Sequence, residues 1–293
     1  MVTSPAGAAP TTASARLAVL GRGLIPADEP VLRGDDLGVL RGDGLFESMH
    51  LRQGRPWLRD EHLARLTTAA AAVDLDLPPT DALVDLLDTV RAGWPAEVEG
   101  ALRLVCTRGA EAGGPPTVYA TLTEVAAASQ ATRRTGITVA FLPLGVPADA
   151  RTGLDWLPAG IKSTSYAVNT AARRWAKLAG VDDVLWLSSD GYALEGPTAN
   201  VVWLTGDTLC TVPAATTGIL PGTTVAWLLA HAGELGLDAA ERMVTPEELH
   251  AADGVWFSSS VRGLTEVRML DGMRRDHCPR TPALHALLGF PVD

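Results

Sequence analysis

The sequence predicts an α+β fold in two domains. Strand-like alternation and helical periodicity are interspersed without the regular strand–helix–strand rhythm of a doubly wound sheet. A small, polar stretch interrupts the pattern near the middle of the chain. The 293 residues suffice for two ordinary domains, and 47% apolar with 20% charged residues is the balance of a chain that buries a core. The expected layout is a disordered leader over 1–16, a smaller N-terminal domain over 17–128, a linker over 129–136 and a larger C-terminal domain over 137–293.

Each element has its own signal. LAVLG at 17–21 reads as a first strand, and the alternation of GDGLFESMHL predicts a second, entered through a glycine turn. Asp60 and Glu61 open a helix, where acids favour the positive end of the dipole. A second helix over about 80–92 places Leu83, Leu86 and Leu87 on one face. ALRLVCTRG and TVYATLTEV form a strand pair around a Gly/Pro-rich loop. Beyond the linker come a strand at 137–142, a long loop to Gly160, and a helix over 166–179 stopped by Gly180. VLWLS and ANVVWL are strands, GTTVAWLLAHAGELG is a helix, and VWFSSS is a strand that runs into a loop.

Several function classes fall away. A net charge of −10 with scattered arginine pairs is not a nucleic-acid footprint. No run of about eighteen apolar residues is present to span a membrane. The first residues lack the basic start and apolar run of a signal peptide, and three widely spaced cysteines suit a reducing compartment, so a cytoplasmic protein is expected. GxGxxG, GxxxxGK[ST], GxSxG and HExxH are absent, and no Cys/His cluster has metal-ligand spacing.

What remains is amine chemistry. Only two of the 24 basic residues are lysines, Lys162 and Lys177. Lys162 sits between a loop and a helix start, and a desolvated lysine becomes a good nucleophile as its pKa falls. Glu195, in LEGPTAN, is a carboxylate between two strand-like segments, suited to holding a proton on a pyridine nitrogen. LPGTT at 220–224 opens a helix whose free N–H groups, with the hydroxyls of Thr223 and Thr224, make an anion site. Ser259 and Ser260 end a strand and can add hydroxyls, and Arg65 in DEHLARL can add a cation. Singly, each has an ordinary explanation as a surface residue, a turn acid or helix punctuation; together they supply an amine, a carboxylate, two phosphate-binding loops and an arginine.

That ordered set, RGDGLFESM, DEHLARL, IKSTSYAVN, LEGPTANVVW, LPGTT and FSSS, resembles the class IV, fold-type IV pyridoxal-phosphate enzymes over residues 31–270. The resemblance implies a two-domain α+β fold with pyridoxal 5′-phosphate between the domains, and a homodimer. It implies that Lys162 carries the cofactor covalently, Glu195 binds its ring nitrogen and Arg65 its phosphate, with Thr223, Thr224 and Ser259 or Ser260. Leu220 would pack on the ring and Tyr166 approach its phenolic oxygen.

Within the family, the D-amino-acid aminotransferases carry a tyrosine where this chain has Phe46, and a histidine after TRG where this chain reads TRGAEAGGPP. The GGNY-type string of branched-chain enzymes is missing from STSYAVN. The combination most resembles actinobacterial aminodeoxychorismate lyases, which implies conversion of 4-amino-4-deoxychorismate to 4-aminobenzoate and pyruvate. Lys162 would remove the C4 proton, and enolpyruvate would then leave. Phe46, Arg108 and Arg262 are the candidates for the substrate pocket. The alternatives are a class IV aminotransferase acting on D- or branched-chain amino acids, and a non-catalytic binding protein that has kept the fold.

Overall fold

The computed structural model describes residues 14–291. The expected leader lies outside the described residues except for its last three, and the first strand already begins at Arg16. Leu17, Ala18 and Val19 are buried there, so burial rather than composition sets the boundary.

The N-terminal sheet contains β1 (Arg16–Val19), β2 (Gly23–Ile25), β3 (Gly44–Arg52), β4 (Arg55–Pro56), β5 (Gly100–Thr107) and β6 (Thr117–Glu124), in the order β2-β1-β6-β5-β3-β4 with antiparallel pairing. Strand periodicity gives this sheet two unlike faces. Leu45, Met49 and Leu51 of β3 join Leu102, Leu104 and Cys106 of β5 beneath two helices, α1 (Arg59–Ala72) and α2 (Thr80–Arg91). Leu63 and Leu66 of α1 and Leu83, Leu86 and Leu87 of α2 close this core. The opposite face carries Phe46 and Ser48, paired in register with Val105 and Arg103.

Residues expected as a linker lie in and just beyond a helix, α3 (Ala127–Thr135). Alanine, glutamine and arginine are good helix formers, and this helix has a buried anchor. Arg133 is 2% exposed, pairs with Glu99 at 2.8 Å and donates to the carbonyls of Val261, Arg262 and Pro291. One side chain thereby ties the start of β5 to a loop of the second sheet and to the C-terminal residues.

The second sheet has β7 (Ile137–Pro143), β8 (Asp183–Leu187), β9 (Glu195–Gly196), β10 (Ala199–Thr205), β11 (Thr208–Thr211), β12 (Asp238–Glu241), β13 (Gly254–Ser259), β14 (Gly263–Leu270) and β15 (Met273–Arg274). Its main path is β12-β11-β10-β13-β14-β7-β8, mixing parallel and antiparallel pairs, with β9 on β10 and β15 on β14. Helix α4 (Ala167–Ala179) buries Ala172 and Ala176 and ends at Gly180 with φ +73°; helix α5 (Thr223–Ala230) is shorter than the sequence pattern suggests and is followed by a 3-10 turn. Among the described residues no helix is long and apolar enough to cross a membrane.

Candidate active site

The lysine loop is stitched to the N-terminal sheet. The Phe46 amide donates to the Lys162 carbonyl at 2.9 Å, Leu45 and Ser163 form a β-bridge, and the Thr164 amide donates to the Gly44 carbonyl at 2.8 Å. The hydroxyls of Thr164 and Ser165 both donate to the Gly42 carbonyl. Gly42 has φ +68°, and a side chain there would press on Ser165, which is the physical need behind the glycine of RGDG.

This stitching seats the amine. Lys162 Nζ lies 4.6 Å from the Phe46 ring centroid and donates to Tyr166 Oη at 3.4 Å; among the described residues it makes no ion pair. Burial pushes its pKa down to about 8, opposed by Glu47 and Glu195 and reinforced by Arg65 and Arg103. Burial likewise pushes the Tyr166 phenol up to about 12. Tyr166 packs edge-on to Phe46 at 5.2 Å.

Glu195 is buried on β9 beside Asn200 of β10, its partner in register. The Leu220 amide donates to both carboxylate oxygens at 3.3 Å. The Asn200 amide donates to the Leu220 carbonyl at 2.8 Å and reaches Glu195 at 3.5 Å. Burial raises the Glu195 pKa to about 7, against the pull of the Arg151 charge and the Leu220 amide. Two residues on, a Cβ at Gly222 would collide with the Asn200 side-chain oxygen, so only glycine lets the chain turn into α5 here.

At the start of α5 the hydroxyls of Thr223 and Thr224 each come within 3.4 Å of Ser260 Oγ. Ser259 stands one residue earlier, half-buried at the end of β13, and Ser260 is the serine whose hydroxyl joins the cluster. Arg65 donates to the Pro221 carbonyl at 2.7 Å, and its Nε and Nη2 grip Glu47 at 2.8 and 2.7 Å. Glu47 also accepts from His62 Nδ1 at 2.7 Å, and His62 Nε2 lies 3.2 Å from Thr223 Oγ1. Burial would raise the Glu47 pKa, but His62 and Arg65 more than offset it and hold the carboxyl near about 2. The short segment from Leu220 to Thr223 therefore links a buried carboxylate to an anion cradle, with an unpaired amine nearby. An aldehyde-bearing pyridine phosphate needs these three groups, so the residues present fit pyridoxal phosphate.

The other expected residues lie elsewhere. Arg108 donates to Asp43 at 2.6 Å and to the carbonyls of Val73 and Asp74, and Arg262 pairs with Asp183 at 2.9 Å. On the sheet face that carries Phe46 and Ser48 stands Arg103. Its guanidinium carbon lies 5.5 Å from the Phe46 ring centroid, its Nε donates to Ser48 at 3.4 Å, and the residue is exposed.

Sequence reasoning missed Arg103, Glu47, His62 and Asn200. Glu47 had a readable signal, because it alternates with Leu45, Met49 and Leu51 and so puts a charge on an apolar strand face. His62 stands three residues before Arg65, on the same helix face. Arg103 had none, because it acquires its place from the register of two strands distant in sequence, and Asn200 stands opposite Glu195 in a tight strand pair but takes its role from Leu220, twenty residues on.

Comparison with known proteins gives the family. The chain is 39% identical over 261 residues to a "Bifunctional aminodeoxychorismate lyase / D-amino acid transaminase" from Mycobacterium tuberculosis, covering 86% of this chain and 89% of the relative. A "hypothetical aminotransferase" from the same organism, solved in apo and PLP-bound forms, superposes with a TM-score of 0.90 at 36% identity, covering 94% of this chain and 98% of the other. A fold IV-transaminase from Curtobacterium pusillum gives a TM-score of 0.87 at 34% identity, over 94% and 97% of the two chains. The family model for amino-transferase class IV matches residues 44–270. The chain belongs to the class IV aminotransferase family of pyridoxal-phosphate enzymes, with the fold-type IV architecture expected from its motifs.

Proposed function

We propose that this enzyme is a cytoplasmic 4-amino-4-deoxychorismate lyase, releasing 4-aminobenzoate and pyruvate as a step towards folate. The observation that carries this reading is the 39% identity, over 86% of the chain, to a relative named for that activity. The geometry supplies groups that this reaction can use.

Bound pyridoxal phosphate supplies an electrophilic carbonyl for the substrate amine and a protonated ring that takes up an electron pair. Lys162, unpaired and with a lowered pKa, takes the C4 proton as general base. Tyr166 holds the amine in place at 3.4 Å. Lys162 then returns the proton to enolpyruvate as the C3–O bond breaks, and the six-membered ring is left aromatic. Glu195 holds the proton on the ring nitrogen, while Arg65, Thr223, Thr224 and Ser260 hold the phosphate. Phe46 walls the amine from water, and Arg103 over that ring anchors a substrate carboxylate.

D-Amino-acid transamination is the second reading, because the same relative carries that name too. Both reactions begin with the same proton transfer to Lys162 and part at the next step. We also infer a homodimer. Val168, Trp175 and Leu178 lie exposed along α4 at helical spacing, an apolar stripe of the kind a second copy covers; sedimentation equilibrium at the monomer mass would reject it.

The test supplies the purified enzyme with enzymatically generated aminodeoxychorismate and follows 4-aminobenzoate and pyruvate. Release of both in equal amounts, lost in Lys162→Ala, is the expected result. A cofactor-loaded enzyme that releases neither is not a lyase, and D-amino donors with keto acids then test the second reading.

A further inference from the structure

We propose that His62 is a positioning residue whose protonation turns the Thr223 hydroxyl outward, so that the cradle takes up one proton with each phosphate-type anion it binds. The inference rests on the cradle being the phosphate site.

The argument is one of donors and acceptors. Glu47, held ionised, can only accept, so the 2.7 Å contact requires a proton on His62 Nδ1. In a neutral imidazole Nε2 is then an acceptor, and the Thr223 hydroxyl at 3.2 Å must donate to it. That hydroxyl then presents lone pairs to Ser260 and to any arriving anion. In the imidazolium, Nε2 donates to Thr223 instead, and the freed hydroxyl hydrogen points at the anion. One proton converts a repulsive contact into a hydrogen bond.

The charges around His62 say which form prevails. Glu47 of β3 favours the imidazolium. Arg65, whose Nη2 lies 3.5 Å from Nδ1 on the same helix, and Lys162 of the lysine loop oppose it; Thr223 of α5 is neutral. His62 is 0% exposed, and burial with the two cations outweighs Glu47, so the ring is neutral in the free cradle. Within the hydrogen-bonded trio Glu47 cancels Arg65, so against a dianion the free cradle has only the neighbouring Lys162 charge. The anion itself tips the balance, and imidazolium supplies the missing positive charge.

Sulfate is the probe, since it does not titrate near neutrality and any proton taken up belongs to the protein. Titration calorimetry of the full-length, cofactor-free chain in buffers of different ionisation enthalpy counts those protons. Wild type is expected to take up about one proton more at about pH 8 than His62→Gln, whose amide donates to Thr223 at every pH. The wild-type affinity should also climb, relative to His62→Gln, by up to about tenfold per pH unit on acidification. Uptake shared equally by both proteins comes from Lys162 or Glu195 and overturns the proposal. In wild type alone, nitrogen NMR of the histidines should show His62 Nε2 gaining a proton when sulfate is added, and an unchanged Nε2 overturns it independently of how the variant folds. If sulfate binds neither protein, the cradle reading fails and the proposal with it. A failed lyase assay, by contrast, leaves the proton count intact.

Discussion

The Phe46 amide donates to the Lys162 carbonyl at 2.9 Å, so the ring that faces the lysine amine is tied to the lysine's own backbone. The two backbones stay in register while the bridge between β3 and the lysine loop holds, so ring and amine part only by side-chain rotation. Phe46→Ala should therefore admit water beside Nζ while leaving that backbone bond in place. The expected result is retention of cofactor, a fall in kcat/KM of roughly ten- to hundredfold, and a lysine pKa that moves back towards 10.5. A pH–rate profile identical to that of wild type would show that Phe46 does not set the amine's environment.

The same environment sets the rate at which the chain captures its cofactor. Only the neutral amine attacks a carbonyl, and the Lys162 pKa is depressed to about 8, chiefly by burial. Capture of pyridoxal phosphate by the cofactor-free protein should accelerate as pH rises and level off near about pH 8. An ordinary lysine would keep accelerating towards 10.5. Stopped-flow absorbance measures this directly, and continued acceleration well above pH 8 would contradict the burial argument.

Glu195 carries a stability signature of the opposite kind. Its folded-state pKa is raised to about 7 from 4.5, mainly by burial, so the folded chain holds this proton more tightly than the unfolded chain. The stabilisation associated with that proton is present at low pH and is lost as pH climbs from 4.5 through 7. A shift of that size corresponds to roughly 3 kcal/mol at most. Glu195→Gln in the cofactor-free protein should thus raise the Tm at about pH 8 and change it little at about pH 5, while weakening cofactor binding. A variant that melts earlier at both pH values would show that Glu195 is stabilised as a carboxylate.

These residues also mark how far a sequence can be read. Lys162, Glu195 and the Thr223–Thr224 pair were legible because each needs a local device: a lone amine, a carboxylate before a glycine, a helix start after Pro-Gly. The two sheets were legible in their strands but not in their order, because β10 pairs with β13 across the 48 residues from 206 to 253, which leave no local mark. The helix within the expected linker was not legible for a related reason. Ala127–Thr135 is small and polar by composition, and its helix is anchored by one buried arginine whose partners, Glu99, Val261, Arg262 and Pro291, are scattered over the chain. Arg103 in β5 and Arg108 just past its end make the same point, since an offset of five residues puts one over Phe46 and the other on Asp43.

Gly222 tests the joint between carboxylate and cradle. Its backbone has an ordinary φ of −71°, so the glycine is there for space. Gly222→Ala pushes on Asn200, whose amide bridges Leu220 and Glu195. The expected loss is about 1–3 kcal/mol of stability, together with weaker cofactor binding. Pairing it with Asn200→Ala, which removes the colliding oxygen, should recover part of the Gly222→Ala loss. Strictly additive effects in the double variant would show that the collision is relieved elsewhere.

Arg103 separates substrate recognition from chemistry. It is exposed over Phe46, on the sheet face opposite Glu47, and among the described residues its side chain makes one hydrogen bond, a 3.4 Å contact to Ser48. A guanidinium held this loosely has donors to spare for a carboxylate, and a hydrogen bond to a charged group contributes about 1.5–3 kcal/mol. Arg103→Gln should therefore raise KM for a carboxylate substrate roughly ten- to hundredfold with kcat little changed, and Arg103→Lys should recover part of the loss. Added salt should weaken wild-type binding more than that of the glutamine variant. If kcat falls while KM holds, Arg103 acts through the field at Lys162 rather than on the substrate, because its positive charge also lowers the lysine pKa. The pH profile of the glutamine variant then decides, since removing that charge would shift the Lys162 titration upward.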